Sequence, residues 1–154
     1  MWGPISTILV TSLSPDPGVL DAEGLRKALL RAEEYLEINH GILDNLNVFP
    51  VPDGDTGINM LTTFRAGVRL LRPSPLSSLA AISDSMTNEI LHGSRGNSGF
   101  IIACFFHGFF DTAKRYDILT KERLTECFVT GYYHVNKSLF SPVEGTVITI
   151  MRAM

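Results

Sequence analysis

Cysteine is scarce in this chain: Cys104 and Cys127 are the only two, and they form no C-x-x-C pair. That excludes a zinc-ribbon spacing or a disulfide framework and leaves reduced thiols packed in a core. Charge of one sign is also in short supply. Charged residues make up 19%, and 13 basic against 16 acidic side chains leave a formal charge of -3. Such a balance lays down no electrostatic footprint for nucleic acid, and no nucleic-acid partner is expected. Long apolar runs are missing too. Ile5 to Val10 has no basic segment before it and falls far short of the ~20 residues that a membrane span needs. The expectation is a cytoplasmic protein with no membrane span. What is present is 154 residues, 45% of them hydrophobic, enough for one domain with a core and too few for two.

The pattern along the chain is helical. Residues 1–20 read as an extended or poorly ordered lead-in broken by "SPDPG", and residues 21–154 as the domain. From Asp21, a candidate N-cap with Glu23 in the first turn, Leu25, Leu29, Ala32 and Leu36 recur at helical spacing to about Leu46, with an interruption near Asn39–Gly41. Charged Arg26, Lys27, Arg31, Glu33 and Glu34 fall between them. Further helices are predicted over Gly57 to Leu71, Leu76 to Leu91, Phe100 to Phe110 and Lys121 to Leu139. The Phe100–Phe110 stretch is apolar almost all round, so it should be buried on most sides. Phe105, Phe106, Phe109 and Phe110 read there as core, not as a lipid groove. A sixth helix would open at "SPVEGT", with Ser141 as N-cap, Pro142 at the first position and Glu144 closing a capping box. No period-2 strand stands out after residue 20. The fold class is all-α.

Two polar stretches interrupt this pattern. "NVFPVPDGDTGINM", residues Asn47 to Met60, sets Asp53 and Asp55 either side of Gly54. Two carboxylates that close repel unless something positive lies between them, and an all-oxygen set suits Mg²⁺ or Ca²⁺. An EF-hand fails on spacing, because Ile58 and Phe64 stand where Gly and Glu are required. Magnesium that keeps several waters and shares phosphate oxygens fits better. The competing reading is a D-G-D turn whose carboxylates only cap the next helix. The second stretch, "GSRGNSG", puts Gly93, Gly96 and Gly99 around Asn97 and Ser98 where the most apolar helix begins. A helix start with exposed N–H groups is an anion site, although no Walker A loop occurs anywhere in the chain.

Together, "LNVFPVPDGDTGINM", "HGSRGNSGFI" and "SPVEGTVIT" resemble three motifs, in the same order, of the DhaL-type kinase domain. That domain is the nucleotide-binding part of the L subunit of dihydroxyacetone kinase. The resemblance is nearer to the amino-terminal domain of bacterial fatty acid kinase and covers about Leu25 to the last residue. It implies an antiparallel helical barrel that holds ATP/ADP and Mg²⁺ at one end. Carried over, Asp53 and Asp55 are metal ligands, and Asn47 takes the place of a third aspartate. Thr56, Gly57, Ile58 and Asn59 lie along the phosphates, as do Asn97, Ser98 and Gly99, with Thr146 near the nucleotide. No side chain is assigned as a catalytic acid, base or nucleophile.

There are departures from the family pattern. Ile58 replaces a usual Thr, and His92 holds a commonly apolar place, where packing or a surface position explains it. The chain stops at Met154, about three turns into the sixth helix, so the domain is expected to lack its last two helices. A longer parent chain or a second copy would supply them, the latter making a homodimer. The implied acceptor is a fatty acid carboxylate presented by a separate fatty-acid-binding subunit. The alternatives are dihydroxyacetone as acceptor, and an inactive helical regulatory or interaction module.

Overall fold

The computed structural model describes residues 18–48, 51–73, 77–139 and 146–153. Among the described residues there are six α-helices: α1 (Ala22–Asn45), α2 (Thr56–Val68), α3 (Leu79–His92), α4 (Gly96–Ala113), α5 (Lys121–Ser138) and α6 (Val147–Ala153). A 3₁₀ turn, Arg69–Leu71, extends α2. The fold is an all-α bundle, as the helical periodicity predicts. No helix among the described residues is long and apolar enough to cross a membrane.

Helix α1 starts where the cap signal puts it, with Asp21 Oδ1 accepting from the Gly24 N–H at 2.7 Å. The expected interruption near Asn39–Gly41 does not occur. Asn39 bonds back to the Tyr35 carbonyl at 2.7 Å, and His40 Nδ1 lies 2.7 Å from Glu37 O. These polar groups are thus satisfied along the helix, and a single internal glycine costs only about 1 kcal/mol. Glu33, one of the charges between the apolar positions, is not left to solvent. It is buried, and its carboxylate is gripped by Arg65, at 2.7 Å, and by Arg72.

The core forms around α4, which packs against α2, α3 and α5. Phe105, Phe109 and Phe110 are buried, as read from their spacing, and Phe106 is half-buried. Phe64 reaches Phe106 from α2 at 5.1 Å, and Phe128 reaches Phe109 from α5 at 5.4 Å. Two glycines let α4 and α5 approach closely. A Cβ on Gly108 would lie 2.7 Å from Thr130 O, and one on Gly131 2.8 Å from Phe105 O.

A two-residue strand β1 (Val19–Leu20) pairs antiparallel with β2 (Leu119–Thr120), in register Val19 with Thr120. This corrects the expectation of no strand beyond residue 20. Two residues are too short for alternation to register in a sequence. The lead-in otherwise falls outside the described residues, as does the capping box at Ser141–Glu144. Helix α6 begins after Thr146, whose Oγ1 accepts from Ile148 N at 3.3 Å. Cys104 and Cys127 are free and buried. Burial pushes the Cys127 thiol up to about 11.

Candidate functional site

The end of α1, the loop after it and the starts of α2 and α4 converge. Gly54 turns the loop with φ +68°, a conformation that favours glycine. Gly57 then lets α2 begin directly against α1, since a Cβ there would sit 2.0 Å from His40 O. The start of α4 lies on the first turns of α2. Cβ atoms on Gly96 and Gly99 would meet Asn59 Nδ2 at 2.3 Å and Thr63 Oγ1 at 2.2 Å. Ser98 Oγ donates to the Thr56 carbonyl at 3.1 Å, and the Arg95 N–H donates to Thr63 Oγ1 at 3.0 Å. The two glycine-rich stretches, distant in sequence, therefore share one place, with both helix N-termini side by side. Of the two, the start of α4 has no side-chain cap, so its N–H groups and the helix dipole favour an anion there.

The carboxylates divide into two kinds. Asp55 occupies the N-cap position of α2 yet makes no side-chain capping bond among the described residues. Asp53 is exposed, and its Oδ1 accepts from Asn47 Nδ2 at 2.7 Å. The amide oxygen of Asn47, Oδ1, is buried and has no hydrogen-bond partner among the described residues. Capping of α2 comes instead from Asp44, in the last turn of α1. Its Oδ1 accepts from Gly57 N at 2.7 Å and from Ile58 N at 3.1 Å. The D-G-D turn is therefore not a self-capping turn.

Asp44 is the residue that the sequence reading missed. One signal was available: an acidic residue at a helix C-terminus opposes the helix dipole and needs a compensating partner elsewhere. Of the other predicted residues, Asn97 is exposed, Ser98 half-buried and Gly99 buried at the start of α4. Thr146 opens α6, which packs on α5.

The donor set suits a hard cation that keeps part of its own water shell. Asp53, Asp55 and the Asn47 amide oxygen are all oxygen donors, but among the described residues no group of three or more His, Cys, Asp or Glu is placed to hold a metal.

Comparison with known proteins agrees with the motifs. The family model for the DAK2 domain matches residues 50–154. An uncharacterized protein of Staphylococcus saprophyticus is 31% identical over 133 residues, which cover 86% of this chain and 24% of that protein. Uncharacterized proteins of Staphylococcus haemolyticus and Staphylococcus aureus are each 32% identical over 124 residues, covering 80% of this chain and 22% and 23% of theirs. The chain thus spans about a quarter of the length of these curated relatives. On the family match, which takes in both glycine-rich stretches, the chain belongs to the DAK2 family of DhaL-type kinase domains.

Proposed function

We propose that this chain is the ATP-binding domain of a kinase that transfers the γ-phosphoryl group to a fatty acid carboxylate presented by a separate lipid-binding subunit. The observation that supports this most is the seating of the α4 start on the first turns of α2, with Ser98 on the Thr56 carbonyl and Gly96 against Asn59, directly after the turn that carries Asp53 and an Asp55 spared from capping. Asp53, Asp55 and Asn47 would hold magnesium, with Thr56, Gly57, Ile58 and Asn59 on one side of the triphosphate. Asn97, Ser98 and Gly99 would line the other side, and Thr146 the nucleotide beyond. Bound magnesium supplies charge neutralisation on the β- and γ-phosphates.

The chain's own part is positioning, which is most of what phosphoryl transfer requires. The Gly57 and Ile58 N–H groups are already held by Asp44, so α2 contributes the Thr56 and Asn59 side chains. N–H groups at the start of α4 contribute oriented donors. The acceptor carboxylate oxygen attacks the γ-phosphorus, the bond from that phosphorus to the β,γ-bridging oxygen breaks, and ADP departs with the electron pair. No proton moves, because a carboxylate is ionised at neutral pH.

Calorimetric titration of ATP with Mg²⁺ into the chain and into its Asp53→Asn variant tests the site. Binding by the first and loss in the second is the expected pair of results; equal binding removes Asp53 from the role. An acceptor assay with fatty acid and its carrier protein tests the substrate, and phosphorylation of dihydroxyacetone instead would overturn that part.

A further inference from the structure

An aspartate in an N-cap position ordinarily spends one oxygen on the N–H groups of its own helix. Asp55 does not, although it precedes α2 directly and its backbone stands at φ -118°, ψ 5°. The N–H groups it would take, on Gly57 and Ile58, are held by Asp44 Oδ1 at 2.7 and 3.1 Å. Asp44 lies 13 residues before Gly57, on another helix. Its main-chain carbonyl also accepts from the Asn47 N–H at 3.2 Å. One residue thereby ties α1 to both sides of the loop. The charge arrangement explains the tie, since the negative end of α1 and its acidic side chain face the positive end of α2.

We infer that Asp44 is a positioning residue that caps α2 from outside and so keeps both Asp55 oxygens free for a divalent cation. The inference rests on the metal reading of the loop proposed above and extends it to a residue that touches neither metal nor nucleotide. Without Asp44, the vacated N–H groups draw the nearest carboxylate, which is Asp55. The cation then loses a ligand while the helix keeps a cap. Asn47 Oδ1, which has no hydrogen-bond partner among the described residues, is a further oxygen on the same loop.

The test uses the whole chain with Mn²⁺ alone as probe, its binding followed by electron paramagnetic resonance. Asp44→Ala should weaken Mn²⁺ binding about tenfold or more, the usual cost of losing an outer-sphere support. Asp44→Asn keeps an oxygen for the two N–H groups and should bind Mn²⁺ almost as the unsubstituted chain does. Equal loss in both variants would mean that Asp44 acts through its charge, and loss in neither would mean that it does not act at all; each overturns the inference. A metal-free readout accompanies it. Amide hydrogen exchange at Gly57 and Ile58 should stay slow in Asp44→Ala, where Asp55 takes over, and become fast in Asp44→Ala/Asp55→Ala. Fast exchange in the single variant overturns the substitution of one cap for the other. If the unsubstituted chain and its Asp55→Asn variant take up Mn²⁺ equally, the metal reading of the loop fails instead, and hydrogen exchange still judges the cap.

Discussion

Glu33 on α1, only 1% exposed, is bound by Arg65 of α2 at 2.7 Å, and Arg65 also reaches Glu37 at 2.7 Å. Glu33 and then Glu37 hold the Arg65 guanidinium above its usual range. With Arg72 on the second oxygen, the buried carboxylate ties α1 to the last turn of α2 and to the residue just after the 3₁₀ turn. The two arginines are about half exposed, so they can return to water if Glu33 is removed. Glu33 has no such escape. Arg65→Ala/Arg72→Ala should therefore destabilise by about 3–5 kcal/mol, the cost of an uncompensated buried charge, and by more than Glu33→Ala. Urea unfolding of the variants measures the difference, and the reverse order would contradict it.

The close approach of α4 and α5 makes a second prediction. Ala is the better helix former by about 1 kcal/mol. At Gly108 or Gly131 the new methyl meets backbone oxygen below 3 Å, at 2.7 and 2.8 Å. Overpacking should outweigh propensity, and Gly108→Ala and Gly131→Ala should each cost roughly 1–3 kcal/mol. Thermal unfolding checks this, and an unchanged or higher Tm would show that the helices can separate freely.

Gly54 gives a third. Its φ of +68° strains any residue with a Cβ, and that Cβ would have open space, the nearest atom being Asp44 O at 3.9 Å. Gly54→Ala should cost about 1–2 kcal/mol from backbone strain alone. If the loop relaxes, Asp53 and Asp55 move apart. The variant should then bind Mg²⁺ and ATP more weakly than its small loss of stability would suggest, as read by calorimetry beside a thermal melt.

Cys127 supplies a fourth. Its thiol is buried and pushed up to about 11 from 9.0, chiefly by burial. The thiolate is the reactive form, so Cys127 should resist iodoacetamide at pH 8 in the folded chain and react in urea. The sign for stability follows. The folded thiol keeps its proton between pH 9.0 and about 11 while the unfolded one loses it, so this residue's contribution falls as pH rises through that window. Rapid modification of the native chain at pH 8 would show that the thiol is open.

Much of this was legible in the residues. Asp21 capped its helix as its type suggests, and Phe105, Phe109 and Phe110 went to the core as their spacing suggests, whereas Phe100 near the start of α4 is exposed. Asn39 and Gly41 misled, since breaker residues act through unsatisfied backbone and here none is left unsatisfied. The strand at Leu119–Thr120 was invisible because its only reason is a partner about a hundred residues away. Glu33 stood out only as one of the charges between the apolar positions, because helical spacing tells which face a residue is on, not whether another helix will lay arginines across that face.

By itself the sequence determined the helices, their apolar faces and the two glycine-rich stretches, the first with its paired aspartates, since these follow from short-range periodicity and backbone freedom. Only the tertiary structure decided which carboxylate caps α2, and therefore which stay free. That choice depends on the end of α1 lying within hydrogen-bond reach of Gly57 and Ile58, a proximity created by packing between helices and written in no local pattern.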